Sequence, residues 1–128
     1  MVAENIFLLD TQVFIWWMEK NRRLAEELYN LINNSDNQIF LSVATVWEIV
    51  IKKSKGKLKV PNDIKGGIKT SGFNLLPIEI SHVLALEKLP PHHRDPFDRI
   101  LIAQAQIENC TLVTNDPKIK RYKIKTVG

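Results

Sequence analysis

Hydrophobic positions along the chain fall into short unbroken runs that alternate with stretches of helical period. IFLLD at 6–10 is an apolar run closed by a carboxylate, the pattern of a strand buried on both faces. TQVFIWWM follows as a short helix, with Thr11 available as a cap. RLAEELYNLINN at 23–34 sets Leu24, Leu28 and Leu31 at helical spacing, and QIFLS at 38–42 is a second strand. VATVWEIVIKKSKG at 43–56 predicts a helix with Ser42 as its N-cap and Gly56 at its end. Its apolar stripe reads as Val43, Val46, Trp47 and Val50, its polar stripe as Thr45, Glu48, Lys52 and Lys55. A short helix is expected from 61 to 70, a strand at 73–78 and a helix at 80–89 that Pro90 and Pro91 stop. Residues 96–108 carry the strongest helical pattern, TLVTND at 111–116 reads as a strand, and YKIKTV at 122–127 alternates like an edge strand.

Alternation of strands and helices predicts one α/β domain over residues 1–128, built in three α/β/α layers. The central sheet is expected to be mainly parallel, with about four to five strands. Ligands of such sheets bind beyond the carboxyl ends of the strands. There the sequence places Asp10 after the first strand, Ser42 after the second and Asp116 after the fourth. Glu48 lies less than two turns into its helix, within reach of the same end.

Each acid also has a plain structural use. Asp10 suits a helix cap, Asp116 an Asx turn before Pro117, and Glu48 an i,i+4 pair with Lys52 on a solvated face. Asp95 is a good N-cap with Pro96 at the first helical position, and Asp98 resembles the second half of a capping box. Asp98 nevertheless shares its helix face with Leu101, Ile102 and Ala105. A charge at the edge of the core needs a cation, several hydrogen bonds or the neighbouring Arg99. Jointly, Asp10, Glu48, Asp98 and Asp116 converge on one end of one sheet, and such a cluster calls for neutralisation. A hard divalent ion, Mg²⁺ or Mn²⁺, fits oxygen donors, whereas no His or Cys stands at zinc-ligand spacing. His92 and His93 read as loop residues, solvated or stacked.

Composition narrows the reading further. At 45% hydrophobic the chain can bury a real core, and no apolar run reaches the roughly 18 residues of a membrane span. MVAENIFLLD has neither the basic start nor the cleavage site of a signal peptide, and a single cysteine allows no internal disulfide, so a cytoplasmic protein is expected. Charge is polarised: 52–59 and 117–128 together carry +10 with no acid, leaving −6 for the rest of a chain of net charge +4. Basic stretches beside a carboxylate-held metal suit hydrolysis of a polyanion's phosphodiester bonds. Glu48 or Asp116 would orient the attacking water. No G-x-x-x-x-G-K-[ST] loop is present, which argues against nucleotide triphosphate hydrolysis.

LLDTQVFIWW, LSVATVWEIVIKKSKGKL, LPPHHRDPFDRILIAQAQ and LVTND, in this order, resemble PIN-domain proteins. More narrowly they resemble the VapC-type toxin ribonucleases of type II toxin–antitoxin pairs, over almost the whole chain. The WEI with its trailing KGKL and the HHRDPFDR block are the most specific parts. By this resemblance Asp10, Glu48, Asp98 and Asp116 fall on the catalytic acids, with Asp10, Asp98 and Asp116 as metal ligands. It implies an Mg²⁺- or Mn²⁺-dependent endoribonuclease, a homodimer and a cognate VapB-like antitoxin. Lys52, Arg94 and Arg99 are then candidates to meet RNA, and Thr11, Ser42, Asp95 and Thr114 to buttress the acids. Trp16, Trp17 and Met18 are candidates for partner contact, with core packing as the alternative. Two competing readings are a non-catalytic PIN-like module that binds RNA or a partner, and a nuclease directed at DNA.

Overall fold

The computed structural model describes residues 5–57 and 63–128. Five strands form one parallel sheet: β1 (Ile6–Leu9), β2 (Gln38–Ser42), β3 (Asn74–Leu76), β4 (Thr111–Val113) and β5 (Thr126–Val127), in the order β3-β2-β1-β4-β5. Six helices connect them: α1 (Thr11–Glu19), α2 (Glu26–Asn33), α3 (Val43–Ser54), α4 (Ile64–Ser71), α5 (Ile80–Ala85) and α6 (Pro96–Glu108). The three-layer arrangement follows from strand alternation. Leu9, Ile39, Leu41 and Val113 face a cluster with Val13, Phe14, Leu28, Ile32, Ile49 and Ile68 from α1 to α4. Leu8, Leu76 and Leu112 face the opposite way, against Leu101, Ile102 and Ala105 of α6. Among the described residues no helix is long and apolar enough to cross a membrane.

Strand order decides where a site can form. From β1 the chain builds outward through β2 to β3, then returns to the other side of β1 with β4 and β5. The direction of winding therefore reverses between β1 and β4, and crevices open beyond the carboxyl ends of strands at such a reversal. Asp10 leaves β1 there and Thr114 leaves β4 there.

Several expected elements are shorter than their apolar patterns. The helix predicted from 23 begins at Glu26, because Asn21 Oδ1 accepts the N–H of Arg23 at 2.9 Å and folds the approach into a turn. The helix at 80–89 narrows to a 3-10 turn over Leu86–Lys88, and the strand at 73–78 stops before Pro77, which cannot donate to a ladder. The strand at 111–116 ends at Val113, where Thr114 Oγ1 accepts the Asp116 N–H at 3.1 Å and turns the chain. Only Thr126–Val127 of the alternating 122–127 segment pairs. The helix expected from 61 is seen from Ile64, and residues 61–62, like Leu58 and Lys59 of the basic stretch, lie outside the described residues.

The faces of α3 are a correction. Ala44, Thr45, Glu48 and Ile49 are the buried ones, while Val43, Trp47 and Val50 are 40%, 56% and 51% exposed. Thr45 turns inward because its hydroxyl pairs with that of Thr11 on α1 at 3.0 Å. Val43, Trp47 and Val50 of the apolar stripe are thereby left on the surface, while Val46 packs against the core. Trp16, Trp17 and Met18, by contrast, pack against the core, with Trp17 4.8 Å from the Phe73 ring and its indole N–H donated to Asn33.

These positions predict opposite mutational responses. Ile49→Ala and Leu101→Ala should each cost about 2–5 kcal/mol in chemical denaturation. Trp47→Ser and Val50→Ser should stay within roughly 0.5 kcal/mol of the parent, which would confirm that the larger apolar stripe contributes little to folding.

Candidate active site

Four elements deliver carboxylates to one crevice. Asp10 caps α1, with Oδ1 accepting the Val13 N–H at 2.8 Å, and Thr114 donates its hydroxyl to Oδ2 at 2.5 Å. Thr114 itself is fixed by accepting from Asp116, so the ends of β1 and β4 are joined side chain to side chain. Asp116 Oδ1 accepts the Lys118 N–H at 2.8 Å, the Asx turn anticipated before Pro117. Asp95 caps α6 by accepting from Phe97 and Asp98 at 2.8 and 3.2 Å, with Pro96 in the first turn. Asp98 stands one turn in, above the fully buried Leu101 and Ile102.

The crevice has a volume of about 400 Å³ and is lined by Asp10, Glu48, Asp95, Asp98 and Asp116 together with Thr11, Gln12, Ile15, Lys52, Asn115 and Pro117. Glu48 reaches it from α3 with only 6% of its side chain exposed. Its Oε2 meets Lys52 Nζ at 2.7 Å, the pair expected on a solvated face but found at the crevice wall. Its Oε1 is buried with no hydrogen-bond partner among the described residues, an arrangement that costs roughly 1–3 kcal/mol if left so.

Crowding shows in the ionisation of these groups. Burial pushes the Asp10 carboxyl up, against the hydrogen bonds from Thr114 and Val13, and Asp116 and Glu48 add like-charge repulsion. Asp98 is pushed up to about 7, chiefly by desolvation and then by the charge of Asp95, with His93 pulling the other way. Lys52 is raised by its hydrogen bond to Glu48. An oxygen-rich donor set in which one buried oxygen is unpartnered and one carboxyl resists ionisation is chemically suited to a divalent cation.

A PIN domain profile matches residues 7–125. The chain belongs to the PIN domain family. Among solved structures it is similar to a chain of VapBC2 from Rickettsia felis bound to a DNA fragment from their promoter, at 25% identity over 95% of this chain and 97% of that one, with a TM-score of 0.73. DNA-bound VapBC from Salmonella typhimurium matches at 18% identity over 94% and 96%, TM-score 0.70. A toxin–antitoxin complex from Klebsiella pneumoniae matches at 22% over 94% and 95%, TM-score 0.66. No curated protein sequence matches the chain.

Within this PIN domain the expected residues separate into those at the crevice and those elsewhere. Asp10, Thr11, Glu48, Lys52, Asp95, Asp98 and Asp116 line it, and Thr114 lies directly behind Asp10. Ser42 is fully buried and caps α3 through the Ala44 N–H, away from the lining. Arg94 is exposed. Arg99 is spent on the 86–93 loop: its guanidinium donates to the carbonyls of Leu86, Leu89, Pro90 and His93 and to the Tyr122 hydroxyl, at 3.0–3.4 Å. The residue beside Asp98 is instead His93, whose Nε2 lies 3.0 Å from both Asp98 Oδ2 and Asp116 Oδ2. Adjacent histidines after two prolines gave no sign of this, because nothing in their spacing marks which one folds back over the helix start.

The capping box is also a correction. Asp98 does not reach back to the N-cap, since the Asp95 N–H is taken by His93 Nδ1 at 3.1 Å. The Asp98 carboxyl is thus released toward the crevice.

Asp98 gives a signed pH dependence. Its folded pKa, about 7, lies above the ordinary 3.8, so the folded metal-free protein keeps a proton that the unfolded chain loses. The associated stability is full below about pH 4 and is lost as pH rises toward 7. Asp98→Asn mimics the protonated form. Thermal unfolding in chelator should find it more stable than the parent by about 1–2 kcal/mol at pH 8, with the advantage shrinking toward pH 5. An advantage unchanged by pH would contradict the raised pKa.

Proposed function

We propose that this protein is a VapC-type toxin, an endoribonuclease that hydrolyses RNA phosphodiester bonds with a divalent cation and is held inactive by a VapB-like antitoxin. The observation that carries the reading is the convergence of Asp10, Glu48, Asp98 and Asp116 on one crevice, with Glu48 Oε1 buried and unpartnered among the described residues. Asp10, Asp98 and Asp116 would hold the ion, Mg²⁺ or Mn²⁺, through oxygen alone. When bound, the ion supplies the acidity that makes water nucleophilic near neutral pH and the charge that offsets the phosphate.

The chain's own residues do the rest. Glu48 orients the attacking water through Oε1 and takes its proton there, while Lys52 keeps Oε2 fixed. Thr11 and Thr114 hold α3 and Asp10 in register with the crevice. Lys52 and Arg94, with the exposed Lys118, Lys120, Arg121, Lys123 and Lys125, offer positive charge to the RNA backbone. A groove of about 1330 Å³ lined by Val43, Val46, Val50, Ile68, Phe73 and Leu75 supports docking of an apolar antitoxin segment. The exposed Ile80, Val83, Leu84 and Ile107 support pairing of two copies into a homodimer. VapBC neighbours favour this partner class, and a cytoplasmic setting goes with it.

Purified protein incubated with fluorogenic single-stranded RNA and Mg²⁺ or Mn²⁺ should cleave it. Asp10→Asn and Glu48→Gln should each lower the rate by at least about 10²-fold, and excess EDTA should abolish it. Cleavage that survives EDTA would remove the metal from the reading, and no cleavage by the parent would favour a binding module. Preference for single-stranded DNA over RNA would redirect the assignment to a DNA nuclease.

A further inference from the structure

We propose that His93 is a fixed hydrogen-bond donor to Asp116, lying against Asp98, that positions this carboxylate pair for the ion and is not itself a metal ligand. The inference rests on the metal-dependent reading above. By distance alone the opposite would be drawn. One nitrogen of His93 and one oxygen each of Asp98 and Asp116 all lie within 4.8 Å of one another, the disposition of a mixed nitrogen–oxygen metal site.

The direction of the hydrogen bonds at the ring decides the matter. Nδ1 accepts the backbone N–H of Asp95 at 3.1 Å. That N–H cannot turn away, because Asp95 is locked as the α6 N-cap by its bonds from Phe97 and Asp98. The Nδ1 lone pair is therefore occupied, and the ring proton resides on Nε2. Nε2–H donates to Asp116 Oδ2 at 3.0 Å, and Asp98 Oδ2 lies 3.0 Å from the same nitrogen. A nitrogen that carries a proton offers no lone pair to a cation. Ligation through Nε2 would need the proton on Nδ1, facing the Asp95 N–H donor to donor.

The ring is also anchored from its backbone. The His93 N–H donates to the Tyr122 hydroxyl at 2.9 Å, and its carbonyl accepts from Arg99 at 3.3 Å. Tyr122 in turn donates to the Pro90 carbonyl at 2.6 Å. The imidazole is thus one arm of a braced loop, with only 10% of its side chain exposed. It holds Asp116, in the turn after β4, by a hydrogen bond and brings it beside Asp98 of α6 at one point. Neither carboxylate oxygen of Asp98 makes a protein hydrogen bond among the described residues; Oδ2 has only the ion-pair contact with His93. Groups that orient metal-binding carboxylates this way typically contribute 10–100-fold in affinity.

The test measures Mn²⁺ binding by calorimetry to the parent, His93→Ala and His93→Gln, with electron spin-echo spectroscopy of the bound Mn²⁺. The parent should show no directly bonded ring nitrogen. His93→Ala should bind about tenfold more weakly or worse. His93→Gln, whose amide N–H reaches the same position, should recover most of the loss. A bonded nitrogen in the parent that disappears in His93→Gln would make His93 a ligand and overturn the proposal. Equal affinity of His93→Ala and the parent would overturn it too, while leaving the metal reading intact. A parent that binds no Mn²⁺ would overturn both. If His93→Ala does not fold, the spectrum of the parent still decides.

Discussion

Mutual repulsion of carboxylates is the constraint to which the rest of this molecule is fitted. Five acids line a crevice of about 400 Å³, and taking them partly out of water makes their repulsion stronger than it would be on an open surface. The fold meets this with partners specific to each acid: a helix N-terminus and a hydroxyl for Asp10, a backbone turn for Asp116, a lysine for one oxygen of Glu48, and a helix N-terminus for Asp95. Asp98 receives least, and desolvation with the charge of Asp95 pushes its ionisation up to about 7. Unrelieved electrostatics concentrate at the atoms where a cation has most to offer.

Much of this was legible in the sequence because it depends on local rules. A buried strand closed by Asp, a cap followed by proline, and a carboxylate on an otherwise apolar helix face are statements about neighbours in the chain. Asp10, Asp95 and Ser42 all cap helices as their surroundings dictate. What escaped were contacts that only tertiary packing creates. Arg99 was the obvious counter-charge to Asp98, one residue away, yet on a helix adjacent residues diverge by about 100° and Arg99 faces the loop instead. His93 is five residues before Asp98 and reaches it only because the loop doubles back.

The helix α3 was misread for a related reason. Periodicity finds stripes but not which stripe faces inward. Apolar Val43, Trp47 and Val50 seemed to belong inside by composition, yet Ala44, Thr45, Glu48 and Ile49 are the buried ones. A buried face that mixes Ala44 and Ile49 with Thr45 and Glu48, beside an exposed face of Val43, Trp47 and Val50, departs from ordinary amphipathic helix design. It is coherent if both faces serve partners: one the substrate, the other a protein. Trp47 is left exposed and edge-on to Phe97 at 5.1 Å, whereas Trp16 and Trp17 pack against the core.

The bond between Thr114 and Asp10 spans 104 positions of sequence. It joins the ends of the adjacent strands β1 and β4, and its sequence separation sets an order of events during synthesis. The amino-terminal half can emerge from the ribosome carrying Asp10 and Glu48, but without β4 there is no second wall, and Asp116 does not yet exist beside them. A nascent chain therefore cannot assemble the crevice piecemeal.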